Sequence, residues 1–183
     1  MSNIFLIHGS HGHPKNNWFP WLKAELKKLG HTVFIPHFPT PKNQTLDHWL
    51  KVFKKYEKHI DKNTIFIGHS LGAPFILNLF EKIKKPVKST FLVAGFTGLL
   101  KSKKFDPLIK TFSDRKFNWQ KLKQKSQKFH VFHSNNDPYV PLAKGRQLAK
   151  NLKAKLTLIK NAGHFNSESK WLQFKQLLRK IKK

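Results

Sequence analysis

Six short runs rich in β-branched and aromatic residues punctuate the chain, at 3–8, 31–36, 63–68, 89–95, 128–134 and 154–160, each bounded by turn-forming residues. Most are apolar at nearly every position, as in Ile4-Phe5-Leu6-Ile7 and Thr64-Ile65-Phe66-Ile67. A strand with one wet face alternates, so continuous apolarity predicts strands covered on both faces, as in a parallel sheet. Between the runs, apolar residues recur at helical spacing. Trp18, Trp21, Leu22, Leu26 and Leu29 mark one helix, with Gly30 as its C-terminal stop. Leu46, Trp49, Leu50 and Phe53 mark another, and Trp171, Leu172, Phe174, Leu177, Leu178 and Ile181 mark a terminal one. Strand and helix in alternation predict an α/β fold, a three-layer α/β/α sandwich built on about six mainly parallel strands. The second run ends at Pro36 and is followed by Pro39 and Pro41, which suits an outermost strand because proline removes a ladder donor.

The stretch 96–127 breaks this rhythm, being far longer than the dozen or so residues a crossover between parallel strands requires. It carries Phe105, Phe112, Phe117 and Trp119 among many lysines. Excursions above the C-terminal ends of the strands are where α/β enzymes build pockets and lids. The stretch is therefore expected to form a short cap-like excursion on a single domain spanning 1–183. The competing reading is a long helical crossover whose aromatics pack on the sheet. The expected pocket residues are Trp18, Phe96, Phe112, Phe117, Trp119 and Tyr139.

Candidate chemistry enters at Gly68-His69-Ser70-Leu71-Gly72, directly after the third apolar run and directly before a helical segment that carries Pro74 in its first turn. A nucleophilic serine presented on a sharp strand-to-helix turn needs glycines two residues to either side, because side chains there would collide with neighbouring backbone. A serine hydroxyl needs a base, and the base needs an orienting carboxylate. Asp137 follows the fifth run and His164 the sixth, so both fall on the sheet edge that carries Ser70, in the order Ser, acid, His. Asp106 and Asp114 lie in the excursion and are weaker candidates for the acid. His69 is expected to support the turn and not to accept the proton. The developing oxyanion needs donors: the Leu71 N–H at the helix start, and an N–H from the loop His8-Gly9-Ser10-His11-Gly12-His13, with Ser10 favoured and His11 its rival. The same loop could be read as a metal-binding tract, but H-x-x-H-x-H suits neither a helix face nor a strand, and no carboxylate accompanies it. No metal and no cofactor are expected.

Composition changes the picture in one respect. With 36 Lys+Arg against 9 Asp+Glu, the formal charge is +27, which raises nucleic acid as a partner. Only Arg115, Arg146 and Arg179 are arginines, however, and the lysines are spread along every helix in short pairs. Readers of bases and phosphates lean on arginine forks, so the lysines read as solvated faces with weak, salt-sensitive adhesion. The rival to an enzyme is a non-catalytic binder of polyanions on a hydrolase scaffold. The 17 Phe and 5 Trp supply ample core, and no cysteine offers a disulfide or thiolate site. Nothing reads as a membrane span or a secretion signal, and the expected compartment is the cytoplasm.

Taken together, Trp18-Phe19-Pro20-Trp21-Leu22, Ile67-Gly68-His69-Ser70, the Phe117–Leu122 segment, Asn136-Asp137-Pro138, Val140-Pro141 and Gly163-His164-Phe165 resemble the small serine hydrolases related to retinoblastoma-binding protein nine. That resemblance runs the length of the chain. It implies a minimal α/β-hydrolase with strand order 2-1-3-4-5-6, lacking the first antiparallel strands, and a triad of Ser70, Asp137 and His164. The family does not fix a substrate; the triad chemistry itself leads us to expect small to medium esters, with amides as the second class. Two departures stand out: the excess of lysine, and the absence of any cysteine for a Leu-x-Cys-x-Glu motif. The hydrolase chemistry is therefore expected, and a retinoblastoma-type pocket-protein partner, a membrane and a specific nucleic acid are not.

Overall fold

A computed structural model describes residues 1–182. One sheet of six strands forms its middle layer: β1 (Asn3–Ile7), β2 (Thr32–Phe34), β3 (Ile65–His69), β4 (Ser89–Val93), β5 (Phe129–Ser134) and β6 (Lys155–Ile159). Every pairing is parallel, and the order is β2-β1-β3-β4-β5-β6, with the proline-terminated β2 outermost. The apolar runs thus became strands of one sheet covered on both faces. Seven α-helices cover it: α1 (Phe19–Lys28), α2 (Leu46–Phe53), α3 (Gly72–Lys82), α4 (Asp106–Ser113), α5 (Trp119–Lys123), α6 (Leu142–Leu152) and α7 (Lys175–Ile181).

Each face of the sheet has its own core. On one, Phe5, Phe66 and Val131 meet Trp49 and Phe53 of α2 and Phe75, Leu79 and Phe80 of α3. On the other, Ile4, Leu6, Ile67 and Phe132 meet Leu22 and Leu26 of α1 and Leu177 and Leu178 of α7. Successive strand side chains point to opposite faces, so Phe5 and Leu6 each find an apolar layer. α1 ends as its sequence predicts, with Gly30 at a φ of 80° just past the last turn.

The terminal helix is shorter than its apolar spacing predicts. Residues 171–174 lie outside α7. The Phe174 ring stacks on Phe165 at 5.4 Å and Trp171 meets both, while Leu172 stays exposed. Aromatic packing against the loop after β6 outweighed helix periodicity there.

Candidate active site

β3 delivers Ser70 to the C-terminal edge of the sheet, where it turns straight into α3. Ser70 has a φ of 53°, a left-handed conformation that costs a non-glycine residue on the order of 1–3 kcal/mol and persists only where the surroundings impose it. The imposed contacts are visible. Ser70 N–H donates to Val93 O of β4 at 2.9 Å, and Ala73 N–H donates to Ser70 O at 3.0 Å. A Cβ on Gly68 would stand 2.7 Å from Ile76 Cδ1 and 2.8 Å from the Gly72 carbonyl carbon; one on Gly72 would strike the carbonyl oxygen of Ile7. The turn closes this tightly only because both positions lack side chains. Gly9, at the end of β1, is pressed against the nucleophile in the same way, its missing Cβ being 2.7 Å from Ser70 Cβ.

The loop after β5 holds Asp137. Asp137 Oδ1 accepts from the N–H groups of Tyr139 (2.9 Å) and Val140 (3.0 Å), and Oδ2 accepts from His164 Nδ1 at 2.8 Å. Burial on its own would raise this carboxyl; the hydrogen bond and charge of His164 and the two amides outweigh it and hold Asp137 below the ordinary carboxylate range. Of the acids weighed, Asp137 is the one hydrogen-bonded to His164. Asp106 instead accepts from Leu100 N–H (2.9 Å) and Ser102 N–H (3.1 Å), pinning the entrance to α4. Asp114 is exposed at the end of α4.

The loop carrying His164 is fastened residue by residue. Asn161 N–H donates to Asn135 Oδ1 (2.8 Å), Ala162 N–H to Ser134 Oγ (3.0 Å) and Gly163 N–H to Asn136 Oδ1 (2.9 Å). From the other side, His69 Nε2–H donates to the His164 carbonyl at 2.7 Å, and Trp18 Nε1–H donates to the Phe165 carbonyl at 3.0 Å. His69 is fully buried, which pushes its pKa down to about 3 and keeps it a neutral donor. It links the Ser70 turn to the loop that carries His164.

The oxyanion loop is held by residues the sequence did not single out. His11 N–H donates to Thr40 Oγ1 at 2.7 Å, and Gln44 Nε2–H donates to Ser10 Oγ (2.8 Å) and to Leu108 O (2.9 Å). His11 is therefore corrected as an oxyanion donor: its N–H is already committed. Ser10 follows the Gly9 that abuts Ser70, and Leu71 follows Ser70 at the start of α3, so both backbone N–H groups belong to the two segments that meet at Ser70. His8 donates from Nδ1 to Gly9 O (2.9 Å) and accepts from Phe38 N–H at Nε2 (3.1 Å), which leaves it no nitrogen for a metal. Among the described residues, no group of three or more His, Cys, Asp or Glu is arranged to hold a metal ion.

Ser70 and His164 face one cleft of about 300 Å³. Phe96, Leu100, Phe105 and Ile109 form an apolar wall, and Asn16, Asn17, Asn166 and Ser167 a polar one. Of the expected pocket residues, Phe96 and Tyr139 line it. Four do not. Trp18 is buried beneath the site, edge-on to His69 and Phe174. Phe112 packs edge-on against Trp49 in the core. Phe117 and Trp119 pack on each other, with Arg115 over Phe117. The 96–127 stretch thus divides: its first half covers the cleft, and its second half is the crossover packed on α3, tied by Asn78 Nδ2–H to Phe112 O (2.8 Å) and by Arg115 to Glu81 (2.7 Å). Glu168, Asn16 and Asn166 were missed, because isolated polar loop residues carry no periodic signal. Glu168 accepts from the Tyr139 hydroxyl at 2.8 Å across the cleft mouth.

Known proteins share this sequence and this fold. Residues 4–183 match the family model described as serine hydrolase. The YdeN protein of Bacillus subtilis is 31% identical over 164 residues, covering 88% of this chain and 85% of that one. The serine hydrolase RBBP9 of Rattus norvegicus is 28% identical over 168 residues, covering 91% and 86%. The crystal structure of the Bacillus subtilis ydeN gene product superposes with a TM-score of 0.91 at 27% identity, over 99% of this chain and 98% of that one. Est1E from Butyrivibrio proteoclasticus, at 18% identity and a TM-score of 0.69 over 100% and 89% of the two chains, shares the fold. Among the described residues, no helix is long and apolar enough to cross a membrane.

Proposed function

The chain belongs to the serine hydrolase family, and from that premise we propose that it cleaves carboxylic esters of small to medium size, and amides of similar size, through a covalent acyl-enzyme on Ser70. The observation that carries this reading is the 2.8 Å hydrogen bond between Asp137 and His164 on the wall of the cleft that Ser70 also lines. With Nδ1–H directed to the carboxylate, Nε2 is the basic nitrogen, and it takes the Ser70 proton as Oγ attacks the carbonyl carbon. The imidazolium that forms lies against an ionised, buried Asp137, where the attraction is stronger than in water. The N–H groups of Leu71 and Ser10 receive the oxyanion, each such donor being worth on the order of 10²–10³ in rate. As the tetrahedral adduct collapses, the leaving alcohol takes the proton from His164. Water then attacks the acyl-enzyme by the same route, returning the acid and free Ser70.

The cleft's two walls suggest the orientation. The apolar wall of Phe96, Leu100, Phe105 and Ile109 suits the acyl group, and the polar wall of Asn16, Asn17 and Asn166 suits the leaving alcohol. A panel of p-nitrophenyl esters from acetate to dodecanoate tests this. Turnover should peak at short to medium chains, vanish in Ser70→Ala, and fall on the order of 10⁴-fold in Asp137→Asn, as in another triad enzyme. Activity surviving Ser70→Ala, or a loss below tenfold in Asp137→Asn, contradicts the reading.

A further inference from the structure

The edge of the sheet opposite Ser70 carries a second and larger cavity, of about 610 Å³. It opens where β4, β5 and β6 begin, at Ser89, Phe129 and Lys155. Four residue steps along β4 at about 3.3 Å each put it roughly 13 Å from the catalytic edge. Its floor is apolar and aromatic, with Phe91, Phe129, Leu152 and Ile181 around the buried His130. Its rim is six lysines: 88, 123, 128, 153, 155 and 180. The active-site cleft, by contrast, has a single lysine among its lining residues. Among the described residues, no Asp or Glu lines the second cavity.

Solvated helix faces do not account for this ring. Lys123, Lys153 and Lys180 sit at the C-terminal ends of α5, α6 and α7, where they complement the helix dipoles. Three such ends supply about −1.5 charges between them, against six ammonium groups converging on one concavity. The surplus ammonium groups repel one another, and low-dielectric concave walls focus their field. A monocarboxylate offsets one charge. A phosphate monoester carries nearly two, and a polyphosphate more, in a head compact enough to meet several lysines at once.

We propose that this cavity is a binding site for a phosphate-bearing small molecule with an aromatic or apolar body, the phosphates on the lysine rim and the body on the Phe91–Phe129 floor. The assignment is independent of the chemistry at Ser70. His130 reports on occupancy: burial, then Lys180 and Lys155, push its pKa down to about 4, so an anion seated between those lysines raises it.

Adenosine triphosphate and inorganic tripolyphosphate serve as probes, titrated calorimetrically into the full chain at 0.1 M salt. Adenosine triphosphate should bind saturably at one site, more tightly than tripolyphosphate, and should raise the His130 pKa measured by NMR. The variant Lys88→Gln/Lys155→Gln/Lys180→Gln should weaken binding at least tenfold. The control Lys27→Gln/Lys54→Gln/Lys103→Gln, with exposed lysines outside both cavities, should change it less than twofold. Ester turnover by the cavity variant checks that it folds, and the His130 titration in the unmodified chain stands without it. Non-saturable binding, equal weakening in both triple variants, or an unmoved His130 pKa overturns the proposal. Tripolyphosphate binding as tightly as adenosine triphosphate overturns the role of the floor.

Discussion

At the scale of single residues, His69 shows how a side chain beside a nucleophile can act without touching substrate. Its Nε2–H holds the His164 carbonyl at 2.7 Å, so the base is located relative to the turn that presents Ser70. Replacing it by leucine leaves that buried carbonyl unpaired, a loss of about 1–3 kcal/mol, and frees the base loop to shift. Displacements near 1 Å can cost on the order of 10² in rate. His69→Leu should therefore lower kcat at least tenfold with little change in KM, and His69→Gln, which keeps an amide donor, should recover most of it. Steady-state kinetics of the two variants decide; wild-type turnover in His69→Leu removes the positioning role. Ser70, Asp137 and His164 were legible in the sequence because each follows a recognisable strand on one sheet edge. His69 reads in the sequence as a support of the turn, but its partner on the His164 loop and the contributions of Trp18, Thr40 and Gln44 do not, since these residues lie far apart in sequence and meet only through tertiary packing. Trp18 and Phe112 failed as pocket residues for the same reason: an aromatic side chain in this chain finds core on either face of the sheet, and its residue type does not say which way it points.

At the scale of elements, the four inner strands could be read from their apolar runs because burial on both faces leaves so plain a trace. The start of α7 could not, because Trp171, Leu172 and Phe174 fit a helix yet two of them pack as loop aromatics on Phe165. The strand-to-helix junction at Ser70 depends on steric room. A methyl group at Gly72 meets the backbone carbonyls of Ile7 and His8 (3.0 Å), which cannot yield without moving β1. Gly72→Ala should cost roughly 3 kcal/mol or more. Gly30→Ala meets only Met1 Cε at 4.0 Å and a φ of 80°, and should cost about 1 kcal/mol. Urea midpoints of the two variants check the ranking, and equal midpoints contradict it.

At the scale of the whole molecule, burial of neutral histidines sets the response to acid. His69, with its pKa pushed to about 3, and His8, pushed to about 4, both chiefly by burial, remain unprotonated in the fold where the unfolded chain takes up protons near 6.5. Between those values the unfolded state binds more protons, so stability rises with pH and is lost as pH falls. Each histidine contributes up to about 1.4 kcal/mol per pH unit in that window. The lowered Asp137 acts in the same direction at still lower pH, its contribution disappearing as the carboxylate is protonated. Thermal midpoints measured at pH 7, 6 and 5 should fall stepwise; a flat profile contradicts the buried, neutral assignment. In the sequence the charge of +27 is scattered lysine, and only the fold shows six of those lysines gathered around one cavity. The central claim remains that Ser70 is an activated nucleophile. Intact-mass analysis after incubation with a fluorophosphonate tests it most directly. One adduct per chain, mapped to Ser70 and absent from Ser70→Ala, is the predicted result; an unlabelled folded protein, or labelling that persists in Ser70→Ala, contradicts it.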